Sequence, residues 1–512
     1  MTGFYSGRIR CVLNYLCLGL LLAYFMLPLK VTAPNERSRL YLTVALFERH
    51  SFNIDAERNR YGRTFDEAAF AGHFYSDKAP GSSLVALPAY ALLRATRGES
   101  EVNVEQLLLL GRYGVMLPLG LLGFFALKRL ALMLRIRTTI AEAFAWASLV
   151  ATPAFHYSTA FFGHHLVAVY WLLALLVLQE APESWRNGTW LRAAAVGVLL
   201  SLAQLTEYQA VLGTLPLLLY AFYCYRRAWA RQALAIGLGA MPGAVFFAYY
   251  HNACFGGMFE LSYHHLLNPA LAGVHGQGIG GVLWPTVAGL GNSLFSLHRG
   301  LFATSPLLLL FPLGIYGMWR RGLVALAFLA TVLGATFILF MSASLTWEAG
   351  WGYGPRLLLP VVPILVLLIA FAAEYFARTQ WFWAVVGSLF LASLLSVQIV
   401  TAFFPEPPVE FKNPILDAVV PLARAHLLPL NLGSRWFGLS GYASLLPLIA
   451  LLLWPIAQFC RAADEATQSR RFLLGLPIAS FILAIVVTVS GPSVGPEQQR
   501  GFVRFVGSLE DK

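Results

Sequence analysis

Two short stretches carry residues able to do chemistry. In APNERSRLYLTVALFERHSF, Glu36 and Arg39 stand three residues apart, which on a helix places a carboxylate and a guanidinium on one face. An ionised carboxylate can take a proton from an attacking group, and Arg meets phosphate oxygens with a planar fork. In GHFYSDKAPGSS, Asp77 and Lys78 lie side by side ahead of a Pro-Gly turn and another apolar run. Such a Lys can keep its ammonium hydrated while its stem lies on apolar surface, and it suits a lipid phosphate as a point charge. Plainer readings stand beside both: Asn35 capping an amphipathic helix with Glu36 complementing the dipole, and Lys78 snorkelling with Asp77 as its partner.

Later stretches add candidates. FHYSTAFFGHH gives His156, His164 and His165, whose rings could cap a helix, touch a sugar hydroxyl or accept a proton. SYHHLLNP adds His264 and His265, and SLHRGLF adds His298 and Arg299. WEAGWGYGPRLLLP supplies Trp347, Glu348, Trp351, Tyr353 and Arg356; aromatic faces stack on sugar rings, and Gly lets a backbone come close. An interfacial aromatic belt with an anchoring Arg accounts for the same composition. Arg299 and Arg356 each stand where a helix begins, so a phosphate would meet a guanidinium and a helix N-terminus together. Glu207 in LAQLTEYQAV is an acid at the end of an apolar run, a functional candidate unless an Arg such as Arg112 pairs with it. No acid and His cluster has a recognised metal-ligand spacing; no cofactor is expected, with a divalent metal the lesser alternative.

These residues must be positioned by helices in a membrane. Of 512 residues, 58% are hydrophobic and 12% charged, and mean hydropathy is +0.66; a soluble domain carries about 25% charge. Apolar runs near 11 to 31, 105 to 127, 139 to 155, 162 to 180, 190 to 206, 208 to 225, 232 to 252, 301 to 319, 322 to 343, 357 to 377, 381 to 402, 441 to 459 and 472 to 490 predict an all-α polytopic membrane protein, with about thirteen spans. The first follows Arg8 and Arg10, is about a full span long and lacks a small-residue cleavage site, so it reads as a helix and not a signal peptide.

With the N-terminus in the cytoplasm, the basic clusters at Lys128 to Arg137, Arg226 to Arg231, Arg320-Arg321 and Arg461 to Arg471 all fall inside. The net charge of +11 sits largely in such connectors, so nucleic acid is not an expected partner. Counting Ala79 to Leu93 as a span would break this pattern. The run is short and holds Pro88, so it reads as an interfacial helix in a large first outer loop, 32–103. Helical spacing of Leu40, Val44 and Phe47 predicts another helix there. Outer loops at 252–299 and 342–356 complete a catalytic core over 1–402, and 403–512 holds a further outer loop and the last two spans. The short basic inner connectors carry no phosphate-binding Gly loop, so the chemistry is expected outside. Cys11, Cys17, Cys224, Cys254 and Cys460 show no disulfide or metal spacing.

Glu36 with Arg39, then Lys78-Ala79-Pro80, a Gly98-Glu99 turn and Arg112 in the next helix resemble the opening of the GT-C glycosyltransferases, especially lipid A aminoarabinose transferases and protein O-mannosyltransferases. The pattern covers roughly the first 250 residues. Two departures stand out: Asn35-Glu36 where the family often has two adjacent acids, and histidines where relatives often place an Asp in the second outer turn. The resemblance implies an inverting sugar transferase of about thirteen spans in a bacterial cytoplasmic (inner) membrane, with its active site periplasmic. It implies a polyprenyl-phosphate sugar donor, membrane lipid around it, and a glycan, lipid or protein acceptor. Glu36 would be the catalytic base, and Lys78, Arg39, Arg356 and Arg299 would hold the donor phosphate. Asp77, His164, His165, His264, Trp351 and Tyr353 are the substrate-binding candidates. A lipid or sugar transporter or flippase is the alternative, although such proteins usually bind near the bilayer midplane with broken helices and internal repeats, whereas here charged residues cluster at one surface and mid-span charges are few. A non-catalytic envelope scaffold would need no convergence of Glu36, Lys78 and Arg356.

Overall fold

The computed structural model describes residues 2–27, 34–98, 100–179, 189–226, 229–468 and 476–510. The end of the first apolar run, Glu99, Arg227, Arg470 and Arg471 lie outside them. The protein is a multi-pass helical membrane protein. Five described helices are long and apolar enough to cross a bilayer: Val104–Met133, Trp229–Phe255, Val324–Ala343, Gln380–Phe403 and Gly441–Thr467, with seven shorter apolar helices between and around them. Two expected spans are interrupted, each at a proline. The run near 301 to 319 divides into Leu301–Thr304, Pro306–Leu310 and Phe311–Arg320. Ser305 leaves helical geometry (φ −140°, ψ 76°), and Pro306 and Pro312 have no N–H to donate. The run near 139 to 155 stops at Val150 and resumes after Pro153 as Ala154–Thr159.

Helices that are apolar all round occupy the centre, as their composition requires. Val362–Tyr375 and Thr138–Val150 are buried over most of their circumference, and Trp146, Trp171 and Trp383 are fully buried. Trp229–Phe255, in contrast, exposes Met241, Val245 and Tyr249 along one stripe at the edge. Basic clusters far apart in sequence meet at one end of the bundle, where Arg137 and Arg321 both pair with Glu374 at 3.1 and 3.5 Å.

The first loop departs from the all-α expectation. After α1 (Thr2–Tyr24) come α2 (Pro34–Arg49) and α3 (Asp55–Tyr61), then a hairpin of β1 (Glu67–Phe70) and β2 (His73–Ser76), then α4 (Gly81–Arg97) with Pro88 inside. Glu67 pairs with Ser76 and Phe70 with His73, joined by Ala71 and Gly72 at φ 51° and 85°. Two left-handed residues make the tight turn that matches strand twist. Asn35 is not the cap of α2: it lies inside the helix and its side chain serves Arg39. The hairpin ends directly at Asp77-Lys78, so strand pairing fixes where those two charges stand.

Candidate functional site

Two glycines bring the first loop against the bundle. Any Cβ on Gly81, at the start of α4, would lie 2.6 to 2.7 Å from backbone atoms of Leu205 and Thr206. The Asp77-Lys78 turn is thereby docked onto the end of helix Thr189–Thr206 beside Glu207. A Cβ on Gly163 would press on the Glu207 carboxylate, so the glycine lets helix Gly163–Gln179 bring His164 alongside it without displacing that side chain. Gly81→Ala is expected to cost about 1–3 kcal/mol, the usual range for overpacking, because backbone atoms cannot yield. Thermal unfolding of the purified variant checks this, and wild-type stability would show that α4 docks less tightly.

Arg39 is buried on α2 and fully engaged. Its Nη2 donates to Glu207 Oε1 at 2.6 Å, its Nη1 to the side chain of Asn35, and its Nε to Ser82 Oγ at 3.3 Å. His164 Nδ1 lies 3.4 Å from the same Glu207 oxygen without hydrogen-bond geometry. Lys78 Nζ stands between two carboxylates, donating to Asp77 Oδ2 at 2.8 Å and lying 3.1 Å from Asp66 Oδ2. Asp77 is itself held, by Ser38 Oγ at 3.4 Å and through its carbonyl by Ser262 Oγ at 2.7 Å. Burial lifts the Asp77 carboxyl to about 6 against the pull of Lys78, with Asp66 adding to the rise. Burial alone would lower Lys78, but Asp66 and Asp77 outweigh it and hold the ammonium above the ordinary lysine value.

Arg356 completes the cluster. Arg39 pairs with Glu207, and Lys78 and Arg356 also lie within electrostatic reach of Glu207 and His164. Arg356 Nε is buried without a hydrogen-bond partner, and its guanidinium carbon lies 5.1 Å from the centroid of the Phe162 ring. Among the described residues no carboxylate pairs with Arg356. Arg356 is half-buried, and a buried N–H without a partner is costly to leave unmet, so this Nε is a donor available to an anion.

The structure places Glu36 elsewhere. It is fully buried, and Arg112 grips it with both prongs, Nε to Oε1 at 2.9 Å and Nη2 to Oε2 at 2.5 Å, while the Phe161 N–H donates to Oε1 at 2.7 Å. A π turn at Leu110–Met116 lies in the helix that carries Arg112. The partner expected for Glu207 therefore belongs to Glu36, and Glu207 takes Arg39. With both oxygens occupied and no exposure, the arrangement does not suit a free base. It suits a clamp between α2 and the bundle.

The remaining candidates separate. Arg299 is buried with its donors on the carbonyls of Glu348, His298 and Gly350 at 2.9, 3.1 and 2.7 Å, and burial lowers it to about 10. It secures the 348–350 turn, and among the described residues no carboxylate pairs with it. Tyr353 is buried with its hydroxyl 2.5 Å from Ser396, leaving no open face for a sugar. Trp351 is exposed and meets Phe505 edge-on. His264 pairs with Glu260 at 2.9 Å, and His265 stacks on Phe255. His165 is buried and its Nε2 has no partner. His156 approaches Glu406 at 3.6 Å beside a cavity of about 30 Å³ lined also by Arg112. Sequence reading missed Asp66 and Tyr263, whose hydroxyl feels Glu207, Asp77 and Arg39. Only the hairpin brings Asp66 to Lys78, and the one available signal was the Ala-Gly turn between two short alternating runs. Among the described residues no group of three or more His, Cys, Asp or Glu is arranged to hold a metal ion.

No protein-family model and no curated protein matches the sequence. Solved structures do match in shape. ArnT from Cupriavidus metallidurans bound to undecaprenyl phosphate has 16% identity and a TM-score of 0.46, over 95% of this chain and 78% of that one. The same enzyme in its apo state gives 15%, 0.48, 94% and 78%. The archaeal oligosaccharyltransferase AglB from Archaeoglobus fulgidus, in complex with an inhibitory peptide and a dolichol-phosphate, gives 11% and 0.44, over 93% of this chain and 56% of that one. At TM-scores below 0.5 these are likenesses of outline.

Proposed function

We propose that the chain transfers a sugar from a polyprenyl-phosphate donor to an acceptor on the extracytoplasmic side of the membrane. The observation that supports this most is the Arg356 Nε, buried without a hydrogen-bond partner in a residue whose charge acts on Glu207 and His164 together with that of Lys78, in a chain whose opening resembles the GT-C pattern. The donor phosphate lies between Lys78 and Arg356 with its tail in the bilayer, while Arg39 and Glu207 fix the floor. Asp66 is the base in this reading: its side chain is 17% exposed, against 2% for Asp77 and 9% for Glu207. The acceptor oxygen bonds to the anomeric carbon as its proton passes to Asp66. The bond from that carbon to the phosphate oxygen breaks with its electron pair going to the oxygen, so the leaving polyprenyl phosphate gains a second negative charge, which the two cations stabilise. Fixed cations at a developing charge are commonly the largest catalytic contribution.

Incubating the purified protein with a panel of polyprenyl-phosphate sugars and candidate acceptors, and weighing the products by mass spectrometry, tests the reading. A product heavier by one sugar supports it. Donor binding with no transfer to any acceptor, together with uptake of the donor across vesicles, would favour a flippase.

A pH dependence follows from Asp77. A polyprenyl-phosphate sugar is a phosphodiester whose charge is constant near neutrality, so only the protein titrates. As pH falls through about 6 the Asp77 carboxyl takes a proton, Lys78 loses one competing anion, and donor affinity rises. Asp77→Asn is expected to bind the donor more tightly at pH 7 and to flatten the dependence; equal affinity from pH 5 to 8 in the wild type would contradict it. The same shift bears on stability. The folded pKa lies above the ordinary 3.8, so this group favours the fold at low pH and that contribution is lost as pH rises through about 6.

A further inference from the structure

The outer segment between helices Trp229–Phe255 and Leu301–Thr304 has a property the sugar-transfer reading does not use. From Leu261 to His298 the chain contains no Asp, Glu, Lys or Arg. A water-facing loop of that length would ordinarily be polar and charged. Its large side chains are also unusually bare: Ile279 is 87% exposed, Trp284 87% and Val287 90%. In water such a patch would be a liability.

Its neighbours say what covers it. The Leu283 N–H donates to Ala343 O at 2.9 Å, so the segment is fastened to the outer end of the apolar helix Val324–Ala343. Helix Val287–Phe295 packs on that helix, and a Cβ on Gly289 would lie 2.2 Å from Ser342 O. Near the same end, Val324–Ala343 turns Leu339 outward. The bare loop thus continues an apolar surface that already faces lipid. A Trp in this segment, Trp284 next to Pro285, is the residue type enriched where the headgroups meet the first acyl carbons.

We propose that the segment from Ile279 to Phe295 is embedded in the outer leaflet, with Ile279, Trp284 and Val287 buried among acyl chains. The occupant of this face is lipid hydrocarbon. Near its other end the same loop holds the Asp77 carbonyl through Ser262, so an embedded loop ties the bilayer surface to the Lys78 cluster. The inference rests on the membrane-spanning fold and stands whether or not sugar is transferred.

The test uses the full chain in lipid nanodiscs, with Cys11, the exposed cysteine among the described ones, replaced by serine. Trp284→Cys and, separately, Val287→Cys are labelled with an environment-sensitive fluorophore, and His73→Cys at the hairpin tip serves as the wet control. Expected at both loop sites are blue-shifted emission and quenching by lipids spin-labelled high in the acyl chain, a depth of about 5–10 Å, with little quenching by aqueous iodide. Emission and iodide quenching like those of His73→Cys would overturn the proposal. Protection from lipid and iodide quenchers alike would overturn it too, pointing to a second copy of the chain over this face. Two labelled sites guard against one variant failing to fold.

Discussion

Glu36→Gln unfolds at markedly lower temperature or denaturant than the wild type, and its loss of activity follows from that instability. The bidentate Arg112 is 6% exposed and has only Glu36 as an anionic hydrogen-bond partner among the described residues. Taking the charge from Glu36 leaves the guanidinium buried without compensation, a change of about 3–5 kcal/mol in other buried pairs. The conservative double variant separates the two readings of Glu36. Removing both charges, as in Glu36→Gln with Arg112→Met, restores much of the stability, since a buried pair is often replaceable by apolar groups. If turnover returns with stability, Glu36 is a positioning residue. If Glu36→Gln is as stable as the wild type yet inactive, Glu36 is the base and the clamp reading fails.

Lys78→Ala is expected to lower sugar transfer by about 10²- to 10³-fold, the range seen when one fixed donor to a developing anion is removed. Two effects add: the leaving phosphate loses its point charge, and Asp66 and Asp77, now 2.8 to 3.1 Å from nothing cationic, repel the donor. Donor affinity falls with turnover. Arg356→Ala is expected to behave similarly with less change in stability, because its guanidinium has no ion pair to break among the described residues. Lys412→Ala provides the control, since Lys412 is exposed and its partner is Glu348. Stopped-flow turnover with a fixed donor, alongside donor binding, distinguishes the variants.

How much of this was legible beforehand depends on the scale of the contact. Membrane class and the multi-pass helical character follow from hydropathy, which is local in sequence. That Glu36, Arg39 and Lys78 carry the first loop's polar structure was also legible from residue type. Their partners were not. Glu36 with Arg112 and Arg39 with Glu207 are separated by 76 and 168 residues, and spacing on one helix cannot decide which of two arginines takes which acid. Glycine contacts at Gly81 and Gly163 make that decision, through a close approach that depends on packing. Arg299 and Tyr353 read as ligand-binding types but were claimed by carbonyls and a serine, because a buried polar group takes whichever partner the fold supplies first. The hairpin was missed because four-residue strands lie below what alternation can establish.

The most direct measurement is saturable binding of a polyprenyl-phosphate sugar to the wild type, Lys78→Ala, Arg356→Ala and Lys412→Ala in the same nanodiscs. One site in the wild type and in Lys412→Ala, with binding strongly weakened in Lys78→Ala and in Arg356→Ala, is the expected result. Equal binding by all four proteins would contradict a phosphate seat between Lys78 and Arg356.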